Sequence, residues 1–498
     1  MGYILAIDQG TTGSRVILYD KKAKQIASAY QEFPQYFPKP GWVEHNPEEI
    51  WQSVFDSIQI ILKQVPKANI QAIAITNQRE TTVVWDKTTG KPIYNAIVWQ
   101  CRRTARRCDE LKKKKNAAEF FRTRTGLPID AYFSATKIEW ILKNIKGARA
   151  KAKQGQLLFG TTDSWILWKL TDGAIHATDF TNASRTMLFN LKTLSWDEEI
   201  LKIFNIPKTM LPSVKNSSGL FAKTAVQGKL ASGIPVYGIA GDQQAALFGH
   251  TCFESGTMKN TYGTGCFLLL NTGKKWIKSK HGLITTLGCS ETAKPVYVLE
   301  GAIFVAGAAI QWLRDELNFL DESALSEKMA RSVKDNAGVY FVPALSGLGT
   351  PYWDQGARGS IFGITRGTKK SHIVRAALEA MCFQTKDVIN AMEKDAGCKV
   401  RCLQVDGGAA ANNFLCQFQA DILGVKVIRP KSIEITCLGA AYLAGLGSGF
   451  WKNKAEIKKH WKKDKVFIPK MSKPKAAFLY TKWQDAVKRT LSNKKTFN

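Results

Sequence analysis

An α/β protein with two related halves facing one cleft is the fold class this sequence predicts, and three features predict it. An apolar strand over residues 3–7 stops on Asp8 and runs into Gln9-Gly10-Thr11-Thr12-Gly13-Ser14. A second apolar run, residues 234–241, reads as a buried strand that ends in a tight turn at Asp242, with Gly263-Thr264-Gly265 a short way downstream. A carboxylate at a strand's C-terminal edge lies where open α/β sheets keep their ligands. Third, 498 residues exceed one ordinary core, so two domains are expected, with three the alternative, and the pattern that restarts over 241–265 puts the boundary near His250, dividing the chain into 1–250 and 251–498. Two carboxylate-tipped strands, each tied to a Gly-Thr loop, point to a phosphoryl-transfer site between the halves.

Composition narrows the class. No stretch reaches the roughly 20 apolar residues of a membrane helix, and the N-terminus lacks the basic start and apolar run of a signal peptide, so a cytoplasmic protein is expected. The ten cysteines show no metal or redox spacing and read as small buried apolar residues. The net charge is +30, with lysine-dense patches at 112–115, 148–153 and 452–463. Neither a recognisable nucleic-acid module nor interleaved aromatics accompany them, so a solvated lysine-rich surface is expected, with no specific nucleic-acid partner. Such a field still gathers anionic substrates such as nucleoside triphosphates.

Along the chain, the Gly10–Gly13 turn joins residues 3–7 to the apolar run 15–19, and 25–30 returns as a further strand. The backbone N–H groups of such a hairpin can face a phosphate, without any Walker sequence. Pro47 opens a helix over 48–63, with Ile50, Val54, Ile58 and Ile61 on one face. A strand over 70–76 ends on Asn77-Gln78-Arg79-Glu80. That charged couple reads either as a surface pair of little energetic weight or as donor and acceptor for a polyol. Trp99, Tyr132 and Phe267 are ordinary core candidates singly, and apolar walls for a small polyol's carbons if they meet.

In the second half, Ser371 is expected to cap a helix carrying Val374, Leu378, Met381, Thr385, Val388 and Met392, with Gly397 as its stop. The strand 402–405 ends on Asp406-Gly407-Gly408, and a helical period resumes at Phe414. This corner is either an anion-binding helix start or a plain tight turn. From Lys452 a peripheral closing helix and a frayed end are expected, with Trp461 and Trp483 as packing anchors.

Taken together, these stretches resemble the FGGY carbohydrate kinases, in particular their glycerol-phosphorylating branch. The resemblance is carried by Asp8-Gln9-Gly10-Thr11-Thr12, by residues 40–45 (Pro-Gly-Trp-Val-Glu-His) and by residues 75–82 (Ile-Thr-Asn-Gln-Arg-Glu-Thr-Thr). It continues through Trp99-Gln100-Cys101-Arg102-Arg103, Gly241-Asp242-Gln243-Gln244, residues 260–267, Gly347-Leu348-Gly349-Thr350-Pro351 and the Asp406–Asn413 corner. It spans residues 3 to about 451 in order.

The resemblance implies two actin-like, ribonuclease-H-like domains with an interdomain active-site cleft, and ATP-dependent phosphorylation of glycerol to sn-glycerol 3-phosphate. By matching motif, Arg79, Glu80, Tyr132, Asp242 and Gln243 hold glycerol, Trp99 and Phe267 lie against its carbons, and Asp242 is the general base. Thr11, Thr12, Arg15 and Thr264, with the backbone of Gly13, meet the nucleotide phosphates. Gly307, Gln311, Gly408 and Asn412 complete the nucleotide pocket. Mg²⁺ lies near Asp8, and the assembly is a homodimer or homotetramer.

Departures are equally specific. The family's serine is replaced by Gly13, the glycine- and arginine-bearing loop that binds fructose 1,6-bisphosphate in many members reads Gln227 to Gly233 without arginine, and no transport-protein docking segment is evident near Pro469 to Lys475. Two other functions compete: a pentulose kinase on the same scaffold, which would change Arg79, Glu80 and Trp99, and an actin-like ATPase acting as a scaffold, which needs no acceptor pocket.

Overall fold

The computed structural model describes residues 2–492. Its first sheet contains β1 (Gly2–Gln9), β2 (Gly13–Tyr19), β3 (Gln25–Glu32), β4 (Asn69–Asn77), β5 (Ser218–Lys223) and β6 (Pro235–Gly241), in spatial order β5-β6-β4-β1-β2-β3. Strands β1, β4 and β6 are parallel, while β2, β3 and β5 each join antiparallel to a neighbour. The hairpin β1–β2 sets Asp8 opposite Arg15. Helix α1 (Pro47–Gln64) starts where the sequence places it: Asn46 caps it by accepting from the Glu48 N–H, and Ile50, Val54, Ile58 and Ile61 are buried. Contrary to expectation, no turn separates β6 from Asp242. The strand runs straight into helix α2 (Asp242–Gly249), so Asp242 opens a helix, where its charge meets the positive end of the dipole.

The second sheet repeats the plan with β7 (Met258–Tyr262), β8 (Cys266–Gly273), β9 (Ile284–Leu287), β10 (Tyr297–Ile303), β11 (Cys402–Asp406), β12 (Lys426–Pro430) and β13 (Lys463–Phe467). Their order is β9-β10-β8-β7-β11-β12-β13. The series β3-β2-β1-β4-β6 and β10-β8-β7-β11-β12 are the same arrangement: an antiparallel meander of three strands followed by two parallel additions. This is the ribonuclease-H-like core used twice, the actin-like architecture.

Helix α3 (Gly307–Asp315) follows β10, and α4 (Lys370–Ala396) buries one face in the second core. Ser371 lies inside α4; the N-cap position is Lys369, whose backbone N–H donates to His372 Nδ1 at 3.1 Å. Gly397 ends it with φ +66°, as expected. Helix α5 (Asn413–Leu423) is capped by Asn412. Helix α6 (Ile435–Gly447) belongs by sequence to the second half but packs on the first sheet, where Leu438 and Ala441 join Ile4, Ala6, Ala74 and Ala240 in one core. The tail is more integral than the sequence implied. Strand β13 extends the second sheet, and α7 (Lys473–Thr490) buries Trp483, whose ring stacks on Phe383 at 5.5 Å while its indole N–H donates to Asp387. Trp461 is only half-buried, and the expected fray beyond residue 492 lies outside the described residues.

Candidate active site

The ends of β1, β4 and β6 and the loop after β7 meet at one cavity of about 160 Å³. Thr11, Arg79, Glu80, Trp99, Tyr132, Asp242, Gln243, Thr264 and Phe267 all line it. A second cavity of about 510 Å³ takes Thr264, Gly307, Gln311, Gly408 and Asn412. Gly263 and Thr264 border both, so the two spaces adjoin at that loop. Asp8, Thr12, Gly13 and Arg15 line neither; they sit on the β1–β2 hairpin beside the smaller cavity.

One side of the small cavity is aromatic. Trp99 makes edge contacts with Tyr132 (5.7 Å between centroids) and Phe267 (6.3 Å), and its indole N–H donates to Thr11 Oγ1 at 3.0 Å. The other side is ionic. Arg79 and Glu80 are almost wholly buried, which removes the surface-pair alternative, and each has a partner the sequence did not reveal. Arg79 donates through both Nη atoms to Glu300, at 2.6 and 3.0 Å, and its Nε lies 3.1 Å from Asp242 Oδ1. Arg185, fully buried, reaches Glu80 at 2.5 Å and Glu300 at 3.1 Å.

Against the burial that raises it, Arg185 and Arg79 hold the Glu300 carboxyl below the usual range. Burial instead wins at Glu80, whose carboxyl is raised. The Glu80 backbone sits at φ +62°, in the left-handed region, and Ser134 Oγ and the buried Lys137 Nζ both donate to its carbonyl. Burial pushes Lys137 down to about 7 and the Tyr132 hydroxyl up, so Tyr132 stays a donor. Signals for these missed residues were faint: Glu300 is the lone charge within an apolar strand, and Arg185 follows no periodicity at all.

Asp242 keeps 30% of its side chain exposed to the cleft. Its Oδ1 accepts from the Gln243 N–H at 2.7 Å, and its Oδ2 accepts from the Gln243 side-chain amide at 3.1 Å. The strand that delivers it is fixed from behind, since the Gly241 N–H donates to Thr181 Oγ1 in a buried network with Asp179 and Asn182. Burial and the nearby Asp242 carboxylate push Asp8 up to about 7, with Arg15 opposing. Arg15 is itself paired with Glu434, which precedes α6.

Glycines set two close approaches. A Cβ on Gly307 would lie 2.6 Å from the Gly263 carbonyl, which accepts from the Gly307 N–H at 3.0 Å, so the Gly-Thr-Gly loop is stitched to the start of α3. A Cβ on Gly13 would lie 2.6 Å from both the Gln31 carbonyl and the Tyr30 hydroxyl. Tyr30 thus fills the space a residue-13 side chain would need, and its hydroxyl lies 3.3 Å from Thr12 Oγ1.

A doubled ribonuclease-H-like core, with carboxylates at the strand ends and Gly-Thr loops bordering two adjoining cavities, defines the class of two-domain, actin-like phosphotransferases. The FGGY carbohydrate-kinase family models agree, the N-terminal domain matching residues 3–249 and the C-terminal domain residues 258–448. The chain belongs to the FGGY family of carbohydrate kinases. It is 58% identical to a glycerol kinase of Fusobacterium nucleatum over 98% of this chain and 99% of that one. It is 57% identical to glycerol kinase 2 of Thermotoga maritima, covering 99% of each. Among solved structures, Plasmodium falciparum glycerol kinase with ADP superposes with a TM-score of 0.92 at 38% identity over 99% of both chains. A xylulose kinase of Lactobacillus acidophilus shares the fold with a TM-score of 0.88 at 24% identity over 99% of both chains.

Proposed function

We propose that the protein phosphorylates glycerol at the expense of ATP, giving sn-glycerol 3-phosphate and ADP. The observation that carries this reading is the 160 Å³ cavity, in which charged and amide groups face an aromatic wall. It is smaller than the roughly 300–1,000 Å³ of drug-sized sites and suits a three-carbon triol. Arg79 and Gln243 supply donors, Glu80 and Asp242 supply acceptors, and Tyr132 supplies a hydroxyl, while Trp99 and Phe267 cover the carbons. The larger cavity beyond Thr264 is the nucleotide's place, with the backbone of Gly13 and the hydroxyls of Thr11 and Thr12 toward its phosphates and Gly408 and Asn412 farther out.

In this reading Asp242 accepts the proton of the attacking hydroxyl as the new oxygen–phosphorus bond forms and the bond from the γ-phosphorus to the ADP oxygen breaks in line. Arg79 and Gln243 keep Asp242 oriented. The aromatic wall keeps competing water from the acceptor side.

The donor set suits a hard cation. Asp8 is buried and feels the Asp242 carboxylate, with Arg15 the opposing cation at Asp8, and a cation that retains its waters needs few protein ligands. Asp8 would hold Mg²⁺, which when bound neutralises charge on the phosphoryl oxygens. A cytoplasmic setting, a homodimer or homotetramer and the division into 1–250 and 251–498 complete the reading. They are supported by the family resemblance, and assembly is checked by light scattering.

ADP production by the purified protein with Mg-ATP, with glycerol and without, tests the reading. Expected is turnover that depends on glycerol. Preference for xylulose or ribulose, or ATP turnover indifferent to glycerol, overturns it.

A further inference from the structure

Lys259 lies on β7 in the middle of the molecule and is fully buried, yet the phosphoryl transfer just described gives it nothing to do. A buried ammonium is costly unless each of its protons finds an acceptor. Here three are found: Gln243 Oε1 at 2.5 Å, Thr261 Oγ1 at 2.8 Å and the Phe267 carbonyl at 3.2 Å. Burial lowers Lys259 to about 8, while Asp406 and Asp242 act to keep it charged.

The chemistry of these partners removes any ambiguity in the Gln243 side chain. An ammonium only donates, so the face of the amide toward Lys259 must be its oxygen. The amide nitrogen is then turned to Asp242, where it donates to Oδ2 at 3.1 Å. Asp242 Oδ1 is already engaged by the Gln243 N–H and by Arg79 Nε. What remains open on Asp242 is a lone pair of Oδ2. The relay also crosses the molecule: Lys259 stands in the second sheet, whereas Gln243 is in the helix that follows the first.

We propose that Lys259 is a positioning residue for phosphoryl transfer: it locks the Gln243 amide in the one orientation that fixes the Asp242 carboxylate, leaving the free lone pair of Oδ2 for the acceptor hydroxyl. The proposal rests on Asp242 acting as the base in the reading above. Without the ammonium the amide is free to turn its oxygen toward the carboxylate, which repels it, and Asp242 loses its fixed orientation. Displacements of this kind cost about 10²-fold in rate.

The test compares full-length wild type with Lys259→Met, Gln243→Met and the double variant, measuring kcat and the KM for ATP, with circular dichroism to confirm folding. Expected is a fall in kcat of about 10²-fold for Lys259→Met, an ATP KM within about twofold of wild type, and a double variant no slower than Gln243→Met alone. A merely structural lysine gives losses that multiply in the double variant, which overturns the proposal. So does a Lys259→Met kcat within about threefold of wild type. If the methionine variant does not fold, Lys259→Gln takes its place in the same cycle, under the same criteria. Wild-type protein that shows no glycerol-dependent turnover removes the underlying reading and this proposal with it, a failure distinct from additive variants of an active enzyme.

Discussion

Glu300, on a strand of the second sheet, receives both Nη atoms of Arg79 from the first half, at 2.6 and 3.0 Å, with neither side chain more than 2% exposed. Arg185 approaches the same carboxylate at 3.1 Å. The two halves are therefore joined by a buried ionic cluster that also orients a cavity residue. Its net value depends on completeness, because a buried charge stripped of its partner is far worse than the pair is good.

Glu300→Ala strips both buried guanidinium groups of their shared carboxylate, leaving Arg79 only its Nε contact with Asp242 and Arg185 only Glu80. The expected loss is about 3–5 kcal/mol of unfolding free energy, measured by urea titration. A loss below about 1 kcal/mol would show that water or rearrangement replaces the carboxylate.

Arg79→Ala is expected to raise the glycerol KM and also to lower stability, because Glu300 loses its bidentate partner. Steady-state kinetics beside a thermal melt separate the two effects. An unchanged KM in a folded variant places Arg79 outside glycerol recognition.

Asp242→Asn keeps the shape and its place at the start of α2 but cannot take a proton. Turnover is expected to fall to below about a tenth of wild type while glycerol and ATP still bind. Calorimetric binding alongside the rate assay checks this, and a variant with wild-type rate refutes the base.

Gly13→Ser pushes a Cβ against the Gln31 carbonyl and the Tyr30 hydroxyl, each 2.6 Å away. Overpacking of this sort costs about 1–3 kcal/mol. Tyr30→Ala in the same chain should recover only part of that loss, because the Gln31 backbone stays in place. Full recovery would make Tyr30 the whole obstacle.

Burial pushes the Asp163 carboxyl up to about 7, although Thr161 and Thr178 both donate to it. Between the ordinary aspartate value and about 7 the unfolded chain binds fewer protons here than the folded one. This group's contribution to stability is thus greatest in acid and falls as pH rises through that window. Asp163→Asn removes the slope, so the variant should gain on wild type between about pH 4.5 and about pH 7.5 in chemical denaturation. Parallel stability curves would refute the raised value.

Much of this molecule is legible in its sequence because the signals are local. The hairpin at Gly10–Gly13, the helix opened by Pro47 and the stop at Gly397 follow from backbone preferences that act within a few residues. Most of the cavity lining was implied by the resemblance to the FGGY kinases, whose motifs lie in order along the chain, and Arg79, Glu80, Asp242 and Gln243 line one cavity. What the sequence misjudged was set by competition at longer range. Ser371 has the right chemistry for a cap, but the helix begins before it. The lysine-rich tail looks peripheral, but the Trp483 ring finds Phe383 and buries the helix that carries it.

The sequence by itself determined the two-part α/β plan and its two strand-end aspartates, because periodicity and turn signals are written in short stretches of chain, and its resemblance to the FGGY kinases implied the other residues around the cleft. Only the tertiary structure decided which polar groups meet: Arg79 and Arg185 with Glu300, and Lys259 with Gln243, are separated by 221, 115 and 16 residues. Their pairing is dictated by burial, where each unpaired proton or lone pair is expensive, and burial is a property of the packed molecule.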